Sequence, residues 1–227
     1  MQGETSKQSS DRGNASRDAL IRAGLRVFGR IGFDAARTRD IAVEAGVNQA
    51  LIAYHFGGKR GLYLAIFDHI LVEIRTRLSP SLELVLEALR RDPPPTPQTA
   101  VGMLEELISR FAAVLAADES AEWATLIIKE QQAPSEAFDR LFEGAMRGLA
   151  ETTTQLVAIA RGLPPESAEA RVAAFTLVGQ ALVFRAAHAA VLRHLQWSRL
   201  GKDELAMVQR QIRANIRAIA GAEGISP

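Results

Sequence analysis

Apolar residues recur at spacings of three and four along most of the chain, and no run shows sustained strand alternation. Leu20, Ala23, Gly24, Val27, Phe28 and Ile31 fall on one stripe and predict a first helix that ends at Gly32. Two short apolar groups follow, Ile41-Ala42-Ala45 and Leu51-Ile52-Phe56, with Gly46 between them. They predict two short helices that pack on each other, with the glycine taking the φ > 0 that a tight turn needs. Gly57-Gly58 stops the second of these, and a fourth helix begins near Lys59 and runs through Leu62, Ile66, Ile70 and Ile74 toward Ser79-Pro80. Beyond it the periodicity predicts helices near 81–91, 98–117, 120–132, 135–161, 165–198 and 203–220, with prolines at 93–95, 97, 134 and 164–165 marking breaks. Residues 92–97 are expected to form a stiff exposed connection.

The fold class is therefore all-α. Two short helices joined by a glycine turn form a helix-turn-helix, which makes double-stranded operator DNA the expected partner. The expected organisation is a flexible N-terminal arm over residues 1–14, polar and too poor in apolar groups to order itself, then a three-helix DNA-binding domain over 15–60 and a helical bundle over 61–227. Thr38 precedes an apolar-periodic run, so it is expected to cap the second helix, whose N-terminus also suits a phosphate. Arg37 and Arg39 flank it and would add phosphate contacts, although arginines on a solvated face are commonplace. Asn48 and Gln49 open the recognition helix, where a side-chain amide can offer both donor and acceptor to an adenine edge. Asn48 has a competing role as a helix cap. Gln49 has no evident structural duty and is the expected base reader, with Ala50 allowing close approach or touching a thymine methyl. Lys59 is the expected cationic phosphate anchor.

Size and composition narrow the alternatives. With 227 residues, 48% of them hydrophobic, the chain can bury a proper core. It has no cysteine, which removes disulfides, thiolate metal ligands and cysteine nucleophiles together. The first twenty residues lack an apolar secretory core, and no apolar stretch approaches a membrane span, so a cytoplasmic location without membrane attachment is expected. Net charge is only +1, but residues 1–65 hold 10 Lys and Arg against 6 Asp and Glu, a balance of +4, and the remainder carries −3. The basic end is the one with the helix-turn-helix, as attraction to phosphate requires. An enzyme is disfavoured: the sequence has no glycine-rich phosphate loop, no His-Glu-x-x-His and no nucleophile elbow, and His55, His69, His188 and His194 lack metal-ligand spacing. No cofactor and no metal are expected. A helical scaffold that binds only protein partners stays open on these grounds, and a salt-dependent shift of promoter DNA separates it from a regulator.

The head also resembles the DNA-binding domain of the TetR family of bacterial regulators. Ala19–Phe33 resembles that family's first helix and closing glycine turn, Thr38–Ala45 its second helix and Val47–Phe56 its recognition helix. Gly57-Gly-Lys-Arg-Gly-Leu-Tyr63 resembles the glycine turn, lysine and apolar start of its fourth helix, while Ala53 stands where the family often has Tyr or His. The resemblance implies that Tyr54 and His55 are an aromatic pair that bonds phosphates; plain packing is the structural alternative. Leu126–Phe142 resembles the regulatory domain of the CecR-like subgroup, which implies a pocket between helices for a small-molecule effector. Trp123, Phe138, Phe142, Phe175, Phe184, Arg185 and His188 are its candidate lining, with Glu130 and Gln131 as further polar groups; taken singly, each reads more readily as core or as a satisfied hydrogen-bonder. The resemblance further implies a homodimer built on the last two long helices, with Phe175, Leu182, Ile212 and Ile216 at the interface. A monomer's internal bundle has the same periodicity. The implied function is a ligand-responsive dimeric repressor, with an activator of the same fold as the alternative.

Overall fold

The computed structural model describes the backbone of residues 2–221 and the side chains of residues 13–220. In order, the helices are α1 (Gln2–Ala35), α2 (Thr38–Ala45), α3 (Ala50–Phe56), α4 (Lys59–Leu89), α5 (Pro97–Ala116), α6 (Asp118–Gln132), α7 (Glu136–Leu141), a π turn over Phe142–Met146, α8 (Arg147–Arg161), α9 (Ala168–Ala186), α10 (His188–Leu195) and α11 (Lys202–Gly221). No strand occurs among the described residues, as the periodicity predicts. The chain divides into two compact units. One joins Met1–Val72 with Thr125–Leu141, and the other joins Glu73–Ala124 with Phe142–Pro227.

In the first unit, Leu20, Ala23, Val27 and Phe28 of α1 are buried together with Ile41 and Ala42 of α2, Ile52 of α3, and Leu62, Ile66, Phe67 and Ile70 of α4. The expected end of the first helix is visible as a break at Gly32, φ 82° and ψ 170°, inside the longer α1. Ile31, expected on the buried stripe, is 43% exposed because it lies at that break. The expected arm does not separate from the helix: from Gln2 onward residues of the 1–14 segment are helical, and Met1 lies outside the described residues. No proline interrupts them, and a polar composition argues against a core without arguing against a helix.

In the second unit α5 is central and packs against α8, α9 and α11. Leu104, Leu107, Ile108 and Ala112 meet Leu149, Leu156, Val157, Ala174, Leu177, Ala181, Val208, Ile212 and Ile216 in one core. Thr96 caps α5, its hydroxyl accepting from the amide of Thr99 at 3.2 Å.

Three helix boundaries differ from those read in the sequence. Helix α4 does not stop at Ser79-Pro80 but contains Pro80 and runs on to Leu89. A helix-interior proline costs about 3 kcal/mol, and burial of Leu78, Val85 and Ala88 on either side offsets it. The helix expected over 165–198 is two, α9 and α10, bent by 82° with Ala187 between them. No proline or glycine marks that bend in the sequence. The helix expected over 135–161 carries the π turn, whose Gly144 carbonyl accepts from Arg75 Nε at 2.9 Å.

Among the described residues no single helix is long and apolar enough to cross a membrane.

Candidate nucleic-acid interface

The turn between α2 and α3 is built as the sequence requires. Gly46 sits at φ 67° and ψ 30°, and the amides of Gly46 and Val47 donate to the carbonyls of Val43 and Ala42 at 3.1 and 3.0 Å. Any residue with a Cβ would be strained there. With Ile41, Ala42 and Ile52 turned inward, the opposite side of the pair presents Arg39, Asn48, Gln49, Ala50, Ala53 and Tyr54 to solvent. Tyr54 is 80% exposed, although it is one of the large side chains of the unit.

Two polar contacts fix the start of α3. Asn48 Oδ1 accepts from the Ala50 amide at 2.8 Å, so the capping role is real. Gln49 Nε2 donates to Thr38 Oγ1 at 2.8 Å. Thr38 is thus the first residue of α2 and not its cap; the helix starts from Arg37, which makes no side-chain cap bond, and the threonine hydroxyl reaches across to the recognition helix. Gln49 accordingly has a structural duty after all. Its amide nitrogen is oriented by Thr38 while the side chain stays exposed.

The other expected phosphate ligands are drawn toward α1. His55 Nε2 lies 3.1 Å from Ser16 Oγ, and its ring meets Tyr54 edge-on at 4.9 Å. Lys59 Nζ donates to the carbonyl of Asp34 at 3.2 Å and lies 4.5 Å from the centre of the Phe33 ring. Phe56, expected as core, is only half-buried, with the Arg17 guanidinium 5.5 Å from its ring centre. These contacts seat α3 against the middle of α1 and the start of α4 against its C-terminal end.

Gly61 has a role beyond its place in the Gly57–Tyr63 segment. A Cβ there would fall well inside the radius of the Phe56 carbonyl oxygen, so the start of α4 approaches the end of α3 as closely as backbones allow. Its only sequence signal is a glycine within a helical run.

The candidate effector residues fall in different settings. Trp123 is buried, whereas Phe175 is 75% exposed on the outside of α9. Phe142 sits on the surface with the Arg147 guanidinium 5.2 Å from its ring centre. Arg185 donates to the carbonyls of Leu115 and Ala117 at 2.7 and 3.1 Å, satisfying the end of α5, and burial lowers its pKa from the ordinary range against the opposing charge of Asp118. Phe184 and His188 are half-buried in this unit, and Phe138 belongs to the other. A cleft of about 570 Å³ in the second unit is lined by residues that include Gln98, Val101, Glu105, Ala160 and Arg217. Helical spacing finds apolar faces but cannot say which of them enclose space.

The candidate dimer residues also part company. Ile212 and Ile216 are 2% and 1% exposed within the single chain, because α11 turns its apolar stripe onto α5. Gln209 Nε2 to the Ser109 carbonyl at 2.9 Å, Arg213 Nε to Ser109 Oγ at 3.1 Å and the Arg217–Glu105 pair at 2.6 Å hold that packing. Leu182 is half-buried. What remains exposed is a stripe of α9: Val172, Phe175, Gly179 and Val183, spaced three, four and four apart.

Comparison with known proteins agrees with this arrangement at both ends of the chain. Residues 20–66 match the family model described as bacterial regulatory proteins, tetR family. Residues 100–223 match the C-terminal domain of the HTH-type transcriptional dual regulator CecR. The sequence is 29% identical over 212 residues to the CecR regulator of Shigella flexneri, spanning 92% of each chain. It is 31% identical over 125 residues to the regulator BetI of Brucella anthropi, spanning 51% of this chain and 55% of that one. The fold is similar to that of a TetR-family transcriptional regulator from Mesorhizobium loti, with TM-score 0.60 and 19% identity over 93% of this chain and 98% of that one. It is also similar to AibR in complex with isovaleryl coenzyme A and operator DNA, with TM-score 0.62 and 15% identity over 88% and 97% of the two chains.

Proposed function

The chain belongs to the TetR family of bacterial regulatory proteins and carries the CecR-type C-terminal domain, and from that premise we propose that it is a dimeric cytoplasmic repressor released from its operator by a small molecule. The observation that carries DNA recognition is the solvent-facing row of Arg39, Asn48, Gln49, Ala50 and Tyr54 on a glycine-turned helix pair whose other side buries Ile41, Ala42 and Ile52. Gln49 reads a base edge, held in place by Thr38. Arg39 and Tyr54 contact phosphates, and Lys59 and His55, held against α1, supply secondary contacts. The exposed α9 stripe supports the dimer, which sets two recognition helices at half-sites about 34–36 Å apart, or a multiple of that distance. An effector that binds one conformation of the body better than the other shifts the equilibrium away from the DNA-bound state, and operator and effector then oppose each other reciprocally. AibR, crystallised with an acyl coenzyme A and DNA, supports the class of mechanism; the effector of this chain is a separate question. The name of CecR as a dual regulator supports activation as a second mode at some promoters.

Selection of bound fragments from genomic DNA by the purified protein, followed by titration in rising salt, tests the proposal. An operator bound in a salt-dependent way with dyad symmetry is the expected result, and protein that retains no fragment above background would sink it. On the selected operator, Gln49→Ala is expected to lose about 1–3 kcal/mol of discrimination at one symmetric base pair, read from a panel of single base changes. Unaltered preference at every position would assign the amide to the Thr38 contact alone. Arg39→Ala is expected instead to weaken all duplexes alike and to lower the salt slope by about one phosphate. A slope that does not change would make Arg39 a solvated surface group.

A further inference from the structure

Glu130 is 6% exposed, one of the few buried polar residues among those described. Its Oε1 accepts from the hydroxyl of Tyr63 at 2.7 Å, across 67 positions of sequence. Its Oε2 accepts from the Ser135 hydroxyl at 2.7 Å and the Ser135 amide at 3.1 Å. These donors are neutral, so this carboxylate is costly to bury and has hydrogen bonds rather than a cation to hold it. Burial first, and the neighbouring carboxylate second, push the Tyr63 phenol well above its ordinary range, which keeps the proton on Tyr63 and makes it the donor.

What this junction grips is the start of α4 and the end of α1, beside the end of the recognition helix. The Tyr63 ring packs edge-on against Phe28 and Phe33 with centroids 5.0 and 4.9 Å apart, and Phe33 in turn carries Lys59. Two residues before Tyr63, Gly61 touches the end of α3. Around Glu130 the same segment makes three further contacts: Lys129 Nζ donates to the Gly29 carbonyl of α1 at 2.8 Å, Glu136 pairs with Arg60 at 2.6 Å, and Arg140 pairs with Asp68 at 3.1 Å. The ion pairs are exposed and contribute little. The buried hydrogen bonds are the specific element.

We infer that Thr125–Leu141 is a working part of the DNA-binding unit and that Glu130 is its positioning residue, fixing the first turns of α4, and through Gly61 the recognition helix, in the orientation the operator selects. The inference deepens the DNA-binding reading and rests on it. A group that sets orientation affects specific and non-specific DNA unequally, because bases are read only in register whereas phosphates attract in any pose.

The test compares two duplexes of equal length, the operator selected by the wild-type protein and a scrambled sequence, using Tyr63→Phe, Glu130→Gln and the double variant. Each single variant is expected to bind the operator about tenfold more weakly and the scrambled duplex within about twofold of wild type, with helicity and sedimentation unchanged. The double variant is expected to lose little more than either alone, since the pair is one interaction. Equal losses on the two duplexes, or none on either, would overturn the positioning role. If Glu130→Gln does not fold, Tyr63→Phe removes a single oxygen and decides the matter by the same ratio. Wild-type protein that prefers no sequence would remove the premise itself, a result distinguishable from a failure confined to the variants.

Discussion

Gly61→Ala is expected to abolish operator binding while leaving the second unit helical. The added methyl would overlap the carbonyl oxygen of Phe56, which is backbone and cannot rotate away, so either the α3–α4 turn opens or the start of α4 shifts. Overpacking of this kind costs about 1–3 kcal/mol and sometimes more. Here the strain falls on the two residues that set the recognition helix, so the loss in specific affinity should exceed about 100-fold, a value that follows from about 2.7 kcal/mol of misorientation. Gly24→Ala is the control: its Cβ would meet chiefly the Cδ1 tip of Ile66, at 2.7 Å, and the end of a side chain can swing aside. Fluorescence anisotropy on the operator, with thermal melting alongside, compares the two. If Gly61→Ala binds as wild type does, the turn yields more readily than its geometry indicates.

Phe175→Glu and Ile212→Glu are expected to fail in opposite ways. Ile212 is enclosed by its own chain, so a carboxylate there is buried without a partner and the second unit should unfold or melt far below wild type; even Ile212→Ala should cost about 2–5 kcal/mol. Phe175 is 75% exposed, so Phe175→Glu should leave melting nearly unchanged while splitting the dimer and weakening operator binding. Sedimentation and circular dichroism read both quantities. A folded monomer from Ile212→Glu, or a stable dimer from Phe175→Glu, would move the interface off the outer face of α9.

The helix-turn-helix is legible in the sequence because every signal that defines it is local: Gly46 for the turn, Asn48 for the start of α3, and stripes of three or four apolar residues. The same locality explains what was missed. Thr38 reads as a cap until its hydroxyl is seen eleven residues away on Gln49, and Lys59 reads as a free cation until the carbonyl of Asp34 is found beneath it. Ile212 and Phe175 carry the same periodic signal, yet one faces α5 and the other faces outward. Periodicity establishes that a face is apolar, and only the packing of distant helices decides what covers it. Glu130 and Tyr63 are the extreme case, since nothing near either residue in sequence announces the other.

Because the first unit takes in Thr125–Leu141, it is not a contiguous cassette. Building a hybrid sensor by transplanting a foreign head onto this body, with the splice between residues 64 and 72, would exchange Tyr63 but keep Glu130, leaving a carboxylate facing whatever side chain the donor supplies. The modular unit for such engineering is two pieces of chain, and α4 and the segment from 125 to 141 have to travel together.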